Sequence, residues 1–99
     1  MANRILLVED EENLRNTIHL NLEMEGYDVT DASTGKIAYD TFHSAHFDLI
    51  ILDVMLPEMD GYTLCRKMRL ENTEVPIIFL TAKGASDERV QGLKMGADD

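Results

Sequence analysis

The sequence predicts an α/β fold, a doubly wound parallel sheet made from four successive strand–helix units. Three observations predict it. Short apolar runs recur at intervals of roughly twenty residues, the rhythm of βαβ units. Three of the four runs are apolar without interruption, as strands covered on both faces are. The segments between them carry apolar residues at helical spacing, bounded by capping residues or glycine.

The first strand is Ile5-Leu6-Leu7-Val8. Leu14, Ile18 and Leu22 then repeat at four-residue spacing and predict a helix, with Gly26 as its C-terminal stop. Tyr27-Asp28-Val29-Thr30 alternates in polarity and reads as an edge strand. Ser33 or Thr34 can cap a second helix whose apolar stripe is Ile37, Ala38 and Phe42. Leu49-Ile50-Ile51-Leu52 is the third strand, and Asp60 can cap a third helix carrying Leu64, Cys65 and Met68. Pro76 opens the fourth strand, Ile77-Ile78-Phe79-Leu80, where a missing amide hydrogen is tolerated. Ser86 or Asp87 can cap a fourth helix with Val90, Leu93 and Met95, closed by Gly96.

The 99 residues suffice for one small domain, and no linker or internal repeat divides them. Nineteen acidic residues against nine Lys and Arg give a formal net charge of -10. Such a surface is repelled by nucleic acid and anionic lipid, so direct binding of either is not expected. Divalent cations and basic protein surfaces are the expected partners. Cys65 is the single cysteine, which excludes an intrachain disulfide. No signal peptide and no membrane-spanning run is visible, so the expectation is a cytoplasmic protein.

Chemistry is expected where strands end, because ligands of open α/β sheets lie beyond the carboxyl ends of the strands. The first strand runs into Glu9-Asp10, the third into Asp53 and the fourth into Thr81. If the first and third strands are neighbours, three carboxylates converge beside a hydroxyl. Carboxylates so placed repel one another, and a hard divalent cation such as Mg²⁺ offsets that repulsion while leaving coordination positions open. An aspartate kept ionised there can act as a nucleophile toward phosphorus. The plainer alternative is a solvated acidic turn at a helix N-terminus.

The segments Leu6-Leu7-Val8-Glu9-Asp10-Glu11, Asp48 to Pro57, Met59-Asp60-Gly61 and Pro76 to Ala82, in this order and spacing, resemble two-component response regulator receiver domains. Gly26-Tyr27 with Val29, and the closing Gly96-Ala97-Asp98-Asp99, fit the same pattern. The resemblance covers the whole chain, 1–99, as one domain, and implies a flavodoxin-like fold. It implies that Asp53 accepts a phosphoryl group from a sensor histidine kinase, and that Glu9, Asp10, Asp53 and the backbone carbonyl of Met55 hold Mg²⁺. It makes Thr81 the switch hydroxyl, lets Pro57 and Gly61 shape the loop after Asp53, and places Met55 and Lys83 where receivers tune dephosphorylation. The protein would then be a switch rather than an enzyme, with at most Mg²⁺-dependent self-phosphorylation and dephosphorylation. Leu64-Cys65-Arg66 and Arg89-Val90 with Gly92-Leu93 resemble most the winged-helix (OmpR/PhoB-type) subfamily, which implies a DNA-binding, transcription-regulating output domain and a partner surface around the fourth helix.

One departure stands out. Receivers continue into a fifth strand bearing a lysine and into a fifth helix, and neither is present here. The expectation is that the residues belong to a longer polypeptide, or that the fourth-strand edge pairs with another chain, self-association included. A haloacid-dehalogenase-type phosphatase is disfavoured because its second acid would stand where Met55 is. A flavodoxin-like cofactor binder is disfavoured because the loop after the first strand is acidic and lacks a Gly-rich phosphate fingerprint. An interaction module that keeps the fold without phosphorylation is the remaining rival. His43 and His46 read as a solvated helix end, and Cys65 as core.

Overall fold

A computed structural model of the chain describes residues 3–80. The expected fourth helix, with its Ser86 or Asp87 cap, lies outside the described residues, as do Thr81, Ala82 and Lys83. In order, the elements are β1 (Arg4–Val8), α1 (Glu12–Met24), β2 (Asp28–Ala32), α2 (Gly35–Ser44), β3 (Leu49–Asp53), α3 (Gly61–Arg69) and β4 (Ile77–Leu80). The strands form one sheet in the order β2-β1-β3-β4. All three pairings are parallel, with Val8 opposite both Ala32 and Leu52, and Asp53 opposite Leu80.

Each helix starts at a side chain that satisfies an otherwise unpaired amide. Glu11 accepts from the Leu14 amide at 2.6 Å, Thr34 from Ile37 at 3.1 Å and Asp60 from Thr63 at 2.8 Å. The Asp60 and Thr34 caps are the expected ones. Gly26 ends α1 with φ +95°, a conformation open to glycine and strained for other residues.

Strand alternation sorts the core into two layers. Leu6, Val8, Ile50 and Leu52 face α2 and α3 and pack with Leu64, Cys65 and Met68. Ile5, Leu7, Val29 and Ile51 face the other side, covered by Ile18 and Leu22 of α1. Among the described residues α1 is the only helix on that side, and none of its residues is fully buried. Among the described residues β2 and β4 are the two edges of the sheet, and Ile78, Phe79 and Leu80 of β4 are half-buried. No helix among the described residues is long and apolar enough to cross a membrane.

Two sequence expectations shift. β2 begins at Asp28 rather than Tyr27 and runs on to Ala32, because the Tyr27 amide donates to Leu22 O at 3.1 Å and so still belongs to the turn that closes α1. Ile37, expected on the apolar stripe of α2, is 46% exposed, while Gly35 and Ala38 are buried and Phe42, as expected, packs against the core together with Tyr39.

His43 is more than a solvated helix end. Its Nδ1 lies 2.8 Å from Tyr39 O and its Nε2 2.5 Å from a Glu71 carboxylate oxygen, while the Tyr39 hydroxyl donates to the other Glu71 oxygen. Both ring nitrogens meet acceptors, so the geometry suits the imidazolium, which donates from both. This clasp ties α2 to the chain just after α3. The same contacts, the Tyr39 carbonyl foremost, raise the His43 pKa above 6.5, and Glu71 is lowered below 4.5, chiefly by the Tyr39 hydroxyl and then by His43.

Two outcomes are expected. Met68→Ala removes a wholly buried side chain and should cost about 2–5 kcal/mol in urea unfolding, whereas Leu20→Ala on the exposed face of α1 should stay within about 0.5 kcal/mol. His43→Gln should lower the urea midpoint most between the two ordinary values, 4.5 and 6.5. A raised histidine pKa contributes stability below its unfolded value and loses it as pH rises through the folded one; a lowered glutamate loses its share as pH falls. The gap between wild type and variant should therefore shrink in alkaline buffer, and a gap constant with pH would refute the imidazolium.

Candidate functional site

The crevice at the carboxyl ends of the strands is built by β1 and β3 lying side by side. β1 delivers Glu9 and Asp10 just past Val8, and β3 ends in Asp53 one position past Leu52, the partner of Val8. Carboxylate oxygens of Glu9, Asp10 and Asp53 all lie within 4.8 Å of one another. The expected convergence is therefore present. Glu9 and Asp53 are buried, at 2% and 4% exposure, and Asp10 is exposed at the rim.

Backbone amides hold the two buried carboxylates. The Glu11 amide donates to Glu9 Oε2 at 2.9 Å, and the Met55 amide to Asp53 Oδ1 at 3.1 Å. These bonds favour the ionised forms, yet burial outweighs them. Burial and the neighbouring Asp53 push Glu9 up to about 7. Asp53 is raised as well, again mainly by burial, with Asp10 adding to the rise. Two buried carboxyl groups in contact titrate as a unit, so one proton held by the pair relieves the repulsion.

A divalent cation bound here would relieve it too. The donor set is hard oxygen from three carboxylates, one of them open to water, which fits an ion that keeps several water ligands. A Gly-rich phosphate cradle is not what the loop after β1 offers, since it supplies Glu9, Asp10 and Glu11.

The loop after Asp53 is fixed by the start of α3. The Gly61 amide donates to Val54 O at 2.9 Å, and the Val54 amide to Leu80 O at 3.3 Å. A methyl group on Gly61 would overlap the Asp53 carbonyl oxygen and sit 2.9 Å from Val54 Cα. Only glycine allows α3 to approach the backbone under Asp53 so closely. Glu58, within the same loop, takes φ +69°, an uncommon conformation for a residue with a side chain.

Arg15 is a contributor that the sequence reading missed. From α1 its guanidinium donates to the Glu9 carbonyl at 2.9 Å and lies 4.0 Å from Asp31, pinning the turn that carries Glu9 and Asp10. No residue pattern signals it, because the contact runs to a backbone carbonyl. Thr81 lies outside the described residues; the chain reaches it from Leu80, the partner of Asp53. Gly61→Ala should cost about 1–3 kcal/mol or more, and should move the Asp53 and Val54 amide resonances far more than those of β2. A neutral substitution would show that the loop adjusts freely.

Comparison with known proteins agrees with this geometry. The family model described as response regulator receiver domain matches residues 5–99. The transcriptional regulatory protein SrrA of Staphylococcus aureus is 44% identical over 99 residues, which are all of this chain and 41% of that protein. The chain thus spans about two-fifths of the length of the curated relatives it matches. Among solved structures, the receiver domain of the Francisella response regulator 1452 has TM-score 0.90 and 32% identity, over 98% of this chain and 80% of that one. The non-phosphorylated HemR receiver domain of Leptospira biflexa has TM-score 0.86 and 38% identity, over 96% and 77%. With its sheet order, its acidic crevice and this match over nearly its whole length, the chain belongs to the response regulator receiver domains of two-component systems.

Proposed function

We propose that this domain is a phosphorylation-dependent switch in which Asp53 accepts a phosphoryl group from a sensor histidine kinase. The observation that carries the reading is the convergence of Glu9, Asp10 and Asp53 within 4.8 Å at the ends of two adjacent parallel strands. Glu9, Asp10, Asp53 and the Met55 carbonyl would hold Mg²⁺, which neutralises the crowded carboxylates and polarises phosphoryl oxygens when bound. The chain's own part is positional. An Asp53 oxygen forms the bond to phosphorus as the bond from phosphorus to the donor's nitrogen breaks, and the histidine leaves with the electron pair. The Met55 amide on Asp53 Oδ1 orients the carboxylate. Gly61 holds the backbone beneath it.

Thr81 follows the residue paired with Asp53 and would hydrogen-bond the new phosphoryl group. Phosphorylation adds charge and acceptor oxygens, and it shifts a pre-existing equilibrium by its differential contacts with the two states. The readout would reach a DNA-binding output domain of winged-helix type. That part of the reading is supported by the likeness to a protein named as a transcriptional regulator. Residues 1–99 are read as the receiver of such a protein, working in the cytoplasm.

Intact-mass spectrometry with Mg²⁺ and acetyl phosphate tests the chemistry. The wild-type chain should gain one phosphoryl group; Asp53→Asn, and wild type in EDTA, should gain none. A folded chain that never gains the group would sink the reading.

A further inference from the structure

We propose that the C-terminal turn of α3 is a docking surface for a short acidic protein segment that carries an apolar side chain. The surface runs from Thr63 to Leu70, the latter roughly 13 Å along the helix axis from Gly61, and shares no residue with the acidic crevice.

The first observation is charge segregation. In a chain with net charge -10, Arg66, Lys67 and Arg69 fall within a single turn. The other described lysine and arginines each meet a carboxylate: Lys36 with Asp40 at 3.4 Å, Arg4 with Asp28 at 3.9 Å and Arg15 with Asp31 at 4.0 Å. Among the described residues, Arg66 and Lys67 have no such partner. Arg66 touches only the Thr63 hydroxyl, at 3.4 Å, and the Lys67 ammonium stands 5.8 Å from the Tyr39 ring centroid. Glu71, the nearest acid in sequence, is held by His43 and Tyr39. The clasp thus keeps that acid engaged and leaves the two cations for an outside carboxylate.

The second observation is apolar. Leu70, at 86% exposure, is the most exposed large hydrophobic residue among those described. Thr63, Arg66, Lys67, Arg69 and Leu70 line a hollow of about 480 Å³. The backbone beneath it and the Arg69 guanidinium are held in place before any partner arrives. The Leu70 amide closes the helix on Arg66 O at 3.2 Å, and the Arg69 guanidinium donates to Val75 O at 2.6 Å. Preorganised groups lose little freedom on binding.

Two unneutralised cations flanking an exposed leucine complement a carboxylate set beside an apolar side chain. A nucleic acid or an anionic membrane would bring extended negative charge against the rest of an acidic domain. A short segment meets only the patch, within the roughly 8 Å over which charges act at physiological salt.

The test is an amide-shift NMR titration of the whole chain with a synthetic peptide of Glu and Asp flanking two leucines. Saturable shifts confined to residues 63–71 are expected, weakening about tenfold with Arg66→Glu plus Lys67→Glu, with Leu70→Ser, or with raised salt. The same peptide with serines in place of leucines should also bind about tenfold more weakly, a comparison that needs no protein variant. The proposal is overturned if no saturable shifts occur, or if the serine peptide binds equally well. It is also overturned if duplex DNA or phosphatidylserine vesicles compete better than the peptide. Shifts at α3 that grow with protein concentration alone would assign the surface to a second copy instead.

Discussion

Everything at the functional end of this domain depends on the parallel pairing of β1 with β3. Those strands are not consecutive in the chain; β2 lies on the far side of β1. The sheet reverses its winding at β1, so α1 covers one face while α2 and α3 cover the other. The strand ends at that reversal have no crossing loop above them. Because Val8 is level with Leu52, the residues that leave the sheet next are Glu9 on one strand and Asp53 on the other. A shift of one residue in this register would exchange the side chains of the two core layers, upset the packing of both and separate the acids. The same hydrophobic burial that fixes the register therefore fixes the spacing of the carboxylates.

That arrangement opposes its own stability. Burial disfavours the charge on Glu9 and Asp53, and their proximity adds to the cost. The surrounding structure holds them there. Amides of Glu11 and Met55 grip the two carboxylates, Arg15 grips the Glu9 carbonyl, and Gly61 lies against the peptide of Asp53. Held fixed in this way, the acids cannot relax apart when they ionise. Their remaining routes to relief are a proton or a cation from outside, which is how a fold can keep a site ready for a metal ion.

Much of this was legible in the sequence because it rests on local pattern. Continuous apolar runs ending abruptly at Glu9 and at Asp53 disclose both the buried strands and the acids beyond them, and Thr34 and Asp60 declare their helices. The resemblance supplied the importance of Gly61 but not its cause, which is a loop returning to touch the backbone of Asp53 and Val54. The start of β2 was misplaced because Tyr27 looks like a strand residue while its amide still serves α1. Ile37 was misread because a short helix on a sheet edge buries a narrower stripe than its apolar residues suggest. The clasp of Tyr39 and His43 with Glu71 left no trace, since Glu71 lies 32 and 28 residues further along the chain, beyond the end of α3. Arg15 acts through a backbone carbonyl, a contact that no residue pattern encodes.

Cys65 sits on the inner face of α3, wholly shielded from solvent and not in a disulfide. A thiol so placed meets an alkylating reagent only when the helix lifts from the sheet, so its modification rate is a clock for that opening. The helix begins at Gly61, pressed on the peptide of Asp53, and cannot lift without loosening the floor of the acidic crevice. The sulfur thus reports, from one turn further along the same face of the helix, how often the ground beneath the carboxylates gives way.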